Sequence, residues 1–238
     1  SIKLTQMEAQ DPFAKMGQVR WYRPVKKDHI YMVALDPSLG TGGDNSAIQV
    51  YELPGMRQVA EWQNNRTRVQ GQVKIIKQIC DYIETETNGE VELYYSIENN
   101  TLGEAALGSV MELGEENIPG TFLSESKAHG NSKKFRRGFT TTHKSKIAAC
   151  SKLKHWIETD KMGVASKNLL RELKTFIARG NTYAAKEGET DDLVMASILV
   201  IRMSQELINY EEKAYDYLLS EDAFDDDDYV QPMPFSML

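Results

Sequence analysis

Three acidic positions in this sequence stand where a carboxylate is expensive. Asp36 closes the apolar run IYMVALD, Glu98 closes VELYYSIE, and Asp191-Asp192 open a long helix-like stretch after Thr190, itself a suitable N-cap. An acid at the end of a buried strand costs free energy unless it is paired or bound to a metal. If the two runs form adjacent parallel strands, Asp36 and Glu98 share one sheet edge about 5 Å apart. That is the end of an α/β sheet where ligands gather. Carboxylates this close repel, and a hard divalent cation with oxygen ligands removes the repulsion. Such a site would perform metal-assisted hydrolysis. Any one of these acids alone would be read as the start of a solvated loop, and it is the convergence of three that outweighs that reading.

Two glycine-bearing stretches imitate phosphate sites. The loop DPSLGTGGD, from Asp36 to Asp44, has GxGG spacing and leads into a strand, so it is not a dinucleotide fingerprint. An Asp-started, Gly-rich hairpin also occurs in actin-like and sugar-kinase ATPases, and that alternative stays open at this stage. The stretch GFTTTHKS, starting at Gly138, has P-loop spacing except that His143 occupies the second glycine position, and no apolar strand precedes it. It is rejected as an ATP site.

A third feature is electrostatic. The formal net charge is −7, but residues 211–238 carry nine acids against Lys213, which leaves the rest close to neutral. Residues 126–157 hold nine Lys or Arg and no acid, among them Lys127, Lys133, Lys134, Arg136, Arg137, Lys144 and Lys146, with Phe135 and Phe139 interleaved. A flexible, basic, aromatic-bearing segment suits contact with a nucleic-acid backbone. A solvated loop and helix face is the plainer alternative.

The elements that position these residues follow from periodicity. Continuous apolar or alternating runs predict strands at 30–36, 46–52 and 57–63, an antiparallel meander, and another strand at 91–98. Val69, Val73, Ile76, Ile79 and Ile83 repeat at helical spacing, which predicts a helix over 68–87 that ends near Asn88-Gly89. A strand–helix–strand path favours a right-handed parallel crossover, placing the 91–98 strand parallel to the first strand or a neighbour. Further helices are expected at 102–114, 145–161, 166–179 and 191–209, a short strand at 120–124 and a short hairpin at 181–186. The whole reads as an α/β fold with a mixed sheet flanked by helices. Residues 1–29 lack periodicity and are expected to be a linker or lead-in from an upstream region, 30–210 the folded body, and 211–238 an acidic tail.

Composition narrows the class. With 238 residues, 41% hydrophobic and 26% charged, the chain resembles ordinary globular proteins and can bury a core. No apolar run is long enough to span a bilayer, and SIKLTQMEAQ has no signal-peptide pattern. The absence of an initial Met is expected of a piece of a longer protein. Cys80 and Cys150 have no CxxC partner and the four histidines show no HExxH spacing, so free thiols and no zinc site are expected.

As a set, LDPSLGTGGDNSAIQVY, YYSIENN and EGETDDLVMAS, in this order and spacing, resemble the C-terminal nuclease domain of the large terminase subunit of T-even-type tailed bacteriophages. The resemblance spans roughly residues 30–210. It implies an RNase H-like fold and a divalent-metal-dependent endonuclease that cuts concatemeric viral DNA during genome packaging, working in the host cell cytoplasm. The catalytic and metal-binding acids it implies are Asp36, Glu98 and Asp192, holding one or two Mg²⁺ or Mn²⁺ ions. Asp191 and Asp44 would stand behind them, and Lys133, Lys134, Arg136, Arg137, Lys144 and Lys146 would hold double-stranded DNA by its phosphates. The implied partners are an upstream packaging ATPase region of the same protein, and the portal or small terminase subunit. Alternative readings are a resolvase- or transposase-like nuclease of the same fold, a non-catalytic DNA-docking domain, or an actin-like nucleotide-binding module.

Overall fold

The run Ile30–Asp36 (β3) is buried at every position except its last, so both faces of the strand are covered. Its side chains alternate between two cores, as a two-residue period requires. Ile30, Met32 and Ala34 enter one core, and Tyr31, Val33 and Leu35 the other. A computed structural model describes residues 2–100, 102–126 and 137–210 and shows what covers each face.

β3 lies inside a seven-stranded sheet with β1 (Ala14–Met16), β2 (Val19–Trp21), β4 (Ser46–Leu53), β5 (Arg57–Asn64), β6 (Glu92–Ile97) and β7 (Thr121–Phe122). The strand order is β1-β2-β5-β4-β3-β6-β7. β3, β4 and β5 form the expected antiparallel meander. Helix α2 (Val69–Thr87) then carries the chain across the sheet to β6, which pairs parallel to β3. β7 pairs parallel to β6.

Behind an N-terminal turn of helix, α1 (Ile2–Gln6), the helices divide between the two faces. α2 packs Val73, Ile76, Ile79 and Ile83 with α3 (Gly103–Leu113) against Tyr31, Val33 and Leu35. On the opposite face lie α4 (His143–Glu158), α5 (Lys167–Thr175) and α6 (Asp192–Tyr210). α6 crosses β3 and β4 directly and is buried along much of its length, which suits its near-continuous apolar sequence. Cys80 and Cys150 are buried free thiols, one in each core.

Three sequence expectations change. The stretch 1–29, expected as a linker, contributes β1 and β2 to the sheet, with Arg20 opposite Glu61 and Trp21 opposite Ala60 on β5. Trp21 is wholly buried and its ring lies 4.4 Å from that of Tyr82 on α2. Strands of three residues are too short to reveal alternation. The helix expected over 166–179 stops at Thr175, and Phe176–Arg179 (β8) pairs with Thr182–Ala185 (β9) as a hairpin. Ile177 falls four residues after Leu173 and mimics helical spacing, yet it is 39% exposed rather than packed in the core. The strand expected over 120–124 shortens to Thr121–Phe122, because only Thr121 and Phe122 find register partners on β6. The acidic tail, 211–238, lies outside the described residues.

Candidate metal centre at the end of the parallel strand pair

The register of β3 and β6 brings the first two acids together. Ala34 pairs with Ser96 and Leu35 with Ile97, and the Glu98 N–H donates to the Leu35 carbonyl at 2.9 Å, so the pairing continues to Asp36 and Glu98. The two-residue period turns both toward the face occupied by α6. Their carboxyls lie close enough for the charge of one to act on the other. Burial first, then the charge of Glu98, then those of Asp192 and Asp191, push the Asp36 carboxyl well above the usual carboxylate range. Two carboxylates placed this close repel, and a bound cation would relieve that repulsion. Glu98 is itself 6% exposed, and the Asn100 amide donates to its Oε2 at 3.2 Å.

Asp192 begins α6 at the same edge. The Asn45 amide, at the end of the loop after β3, donates to its Oδ2 at 3.2 Å. Burial raises its pKa most, the Asn45 bond lowers it, and the charges of Asp191 and Asp44 raise it further. Asp191 faces another way, its Oδ2 accepting the Ala185 N–H of β9 at 3.3 Å. Thr190, expected as the N-cap, instead donates its hydroxyl to Glu172 Oε1 at 2.9 Å. It is the Glu172 carboxylate that accepts the Leu193 and Val194 N–H groups at the start of α6, at 2.8 and 3.1 Å.

Asp36 and Glu98 therefore stand side by side at the strand ends, with the charge of Asp192 acting on Asp36 and its carboxylate tied to Asn45. Among the described residues no three His, Cys, Asp or Glu side chains are gathered into a closed metal-ligand set. The donor chemistry nevertheless fits a hard cation: the charges that dominate the environment of Asp36 are all acidic. A cation held there would relieve the like-charge repulsion.

The loop between β3 and β4 is held against the β5–α2 connection. Gly40 has φ +70°, and a Cβ there would lie 2.1 Å from the Thr67 carbonyl oxygen, so only glycine fits. The Gln72 amide bridges the carbonyls of Ser38 and Thr67 at 2.7 and 2.8 Å and accepts the Ser38 N–H at 3.3 Å. The Gly42 N–H is spent on the Asn65 carbonyl at 2.7 Å. Two backbone donors that an actin-like phosphate hairpin would need are thus already used.

The basic segment returns to the sheet beside Glu98. Phe139 donates its N–H to the Ile97 carbonyl at 3.2 Å, and Asn99 donates to the Phe139 carbonyl at 2.7 Å. Gly138 makes this approach possible: with φ +76°, its Cβ would meet the Ile97 carbonyl oxygen at 2.5 Å. Arg202 of α6, 5% exposed, clamps the two stems of the segment. Its guanidinium pairs with Glu125 Oε1 at 2.5 Å, donates to Thr140 O and Thr141 Oγ1 at 3.1 and 3.2 Å, and stacks on Phe139. Of the proposed phosphate contacts, Lys133, Lys134 and Arg136 lie outside the described residues. Lys144 is exposed in the first turn of α4, and Lys146 Nζ sits 5.9 Å from the Phe176 ring. Arg137 is engaged within the protein, in an ion pair with Glu115 and over the Phe122 ring at 4.7 Å.

Sequence reasoning did not single out Glu172, Asn45, Asn100 or Arg202. Glu172 carried a usable signal, a carboxylate among the apolar positions Leu169, Leu170 and Leu173 of an amphipathic helix. Asn45 and Asn100 carried none, since polar residues in loops are ordinary.

An antiparallel meander joined through a helix to a parallel strand, with acids at the ends of both central strands and at the start of a helix laid across them, defines an RNase H-like domain. Residues 33–204 match the family model described as the terminase RNaseH-like domain, and the chain belongs to that family. Its fold is shared by the large terminase nuclease from thermophilic phage G20c with bound magnesium, at 18% identity and TM-score 0.61, covering 84% of this chain and 94% of that one. The large terminase nuclease domain of Thermus phage P74-26 is similar at 20% identity, TM-score 0.58, and 85% and 93% coverage. The human cytomegalovirus terminase nuclease domain, manganese-soaked and inhibitor-bound, is similar at 13% identity, TM-score 0.53, and 79% and 86% coverage.

Proposed function

We propose that this chain is a divalent-metal-dependent DNA endonuclease that cuts concatemeric viral DNA during genome packaging. The observation that carries the reading is the side-by-side placement of Asp36 and Glu98 at the ends of two parallel strands, with Asp192 brought to the same edge by α6. The magnesium and manganese in the names of two similar structures support the same ions here.

Asp36, Glu98 and Asp192 would hold one or two Mg²⁺ or Mn²⁺ ions. When bound, such an ion supplies Lewis acidity that activates a water and stabilises the leaving oxygen of a phosphodiester. Asn100 donates to Glu98 Oε2 and Asn45 to Asp192 Oδ2, which would hold both carboxylates in place for the ion. Asp191 and Asp44 add negative charge behind Asp192 without sharing its bond to Asn45. Lys133, Lys134, Arg136 and Lys144 would contact the phosphates of double-stranded DNA, the first three from a segment whose returning stem lies against the residues flanking Glu98. Such contacts position the duplex without reading bases. The terminase family supports, as partners, an upstream packaging ATPase region of the same protein and the portal or small terminase subunit, with work in the host cell cytoplasm.

Plasmid nicking by the purified chain tests the proposal. Supercoiled DNA should be nicked with Mg²⁺ or Mn²⁺, and not with EDTA or after Asp36→Asn. DNA binding without metal-dependent nicking would leave a docking domain instead.

A further inference from the structure

Glu172 lies on the core face of α5, 5% exposed between Leu170 and Leu173. Both of its oxygens are used, and three of the four donors belong to residues within two positions of Asp192. Oε2 accepts the Leu193 and Val194 N–H groups at 2.8 and 3.1 Å, immediately after Asp192. Oε1 accepts the Thr190 hydroxyl at 2.9 Å and the Gln63 amide, from the end of β5, at 3.3 Å.

The first N–H groups of a helix have no partner within it, and a Ser, Thr, Asp or Asn immediately before the helix normally supplies one. Here the acceptor comes from another helix, 21 residues away in sequence. The direction of the first turn of α6 is therefore set by α5, and Asp192 is the first residue of that turn. Burying a carboxylate is costly: burial drives the Glu172 pKa up to about 7, against the hydrogen bonds that lower it. A leucine would serve the apolar face of α5 at lower cost, so the carboxylate is explained by what it holds.

We propose that Glu172 is a positioning residue for Asp192, fixing the first turn of α6 so that Asp192 can share a divalent ion with Asp36 and Glu98. The inference rests on the metal-site reading above. Groups that orient ligands from behind are worth about 10–100-fold in metal affinity.

The test is calorimetric titration of Mn²⁺ into the whole chain, without DNA, for the wild type and the Glu172→Gln, Glu172→Met and Thr190→Val variants. Glutamine keeps an oxygen that can accept both N–H groups, and its NH2 can donate to the Thr190 hydroxyl and to a turned Gln63 amide, so its Mn²⁺ affinity should stay close to wild type. Methionine fills the same space without an acceptor and should weaken Mn²⁺ binding about tenfold or more. Half-saturation of nicking by Mn²⁺ should shift in parallel, with a smaller change in rate at saturating metal. Thr190→Val loosens one bond to Oε1 and should give a smaller shift in the same direction. A lower melting temperature with unchanged Mn²⁺ affinity in Glu172→Met would overturn the proposal, as would equal losses in both Glu172 variants. If Glu172→Met does not fold, unchanged affinity in Thr190→Val overturns it. A wild-type chain that binds no Mn²⁺ would sink the metal-site reading itself, and this inference with it.

Discussion

Asp36 and Glu98, 62 residues apart in sequence, come side by side at the matched ends of two parallel strands, where the Glu98 N–H donates to the Leu35 carbonyl at 2.9 Å. Neither strand could place them there alone. The pairing of Leu35 with Ile97 sets the register, and the pleat turns both side chains toward α6. A pair of acids this close is poorly stable when both are ionised, and that instability is what a cation would relieve.

Asp36→Asn, Glu98→Gln and Asp192→Asn should each reduce metal-dependent nicking by a factor of about 100 or more, the several kcal/mol expected for a lost metal function. The metal-free melting temperature should hold or rise, because each change removes a like charge from the cluster. Asp191→Asn should be milder, since Asp191 is occupied by the Ala185 N–H. Full activity in any two of the first three would refute the site, and a more damaging Asp191→Asn would exchange the roles of the two aspartates.

The carboxyls of Asp36 and Glu172 are both raised in the fold, Glu172 to about 7. Between the ordinary carboxylate range and those raised values the native state binds more protons than the unfolded state, so stability falls as pH rises. Metal-free melting temperature should therefore decline from about pH 5 to about pH 8, and Glu172→Gln should flatten part of the decline. Added Mn²⁺ should raise the melting temperature more at the higher pH. A metal-free melting temperature that rises across this window would contradict the raised values.

Neutralising Lys133, Lys134 and Arg136 together should weaken duplex binding regardless of sequence. It should also flatten the salt dependence by up to about 0.9 in log–log slope for each phosphate these side chains no longer neutralise. Arg137→Gln should act differently, lowering stability more than DNA affinity, because its guanidinium is already paired with Glu115 and stacked on Phe122. Fluorescence anisotropy over a salt series separates the two effects.

Arg202→Met should cost about 2–3 kcal/mol by urea unfolding, less than a fully buried pair because Glu125 is 39% exposed. DNA affinity should fall as the stems of the basic segment come unclamped, while Mn²⁺ affinity stays unchanged. An altered Mn²⁺ affinity would mean that the effect travels along α6 to Asp192.

Cutting the chain after Leu219 should preserve metal-dependent nicking but remove docking to a partner; if the tail instead screens the basic segment, DNA binding should tighten, most clearly at low salt. Its Tyr229, Val230, Met233 and Phe235 are more apolar than a solubility tail needs and suit a docking peptide for another packaging component, such as the portal. Loss of cleavage on truncation would place the tail in the working domain instead.

The acids at strand ends were legible because each ends its own apolar run: IYMVALD and VELYYSIE announce both strand and carboxylate within a few residues. The same locality made the antiparallel meander, α2 and the parallel crossover readable, since hydrophobic period and chain handedness act over short spans. What the sequence could not disclose was how distant polar groups pair. Asn45 meets Asp192 across 147 residues, Arg202 meets Glu125 across 77, and β2 finds its place only against β5. The cap of α6 is the plainest case: Thr190 has the right residue type, yet the helix begins at Asp192 and its first N–H groups go to Glu172 on another helix. A hydrogen bond depends on distances of a few tenths of an ångström and on burial from water, and only the packing of α5 and α6 over the sheet determines those.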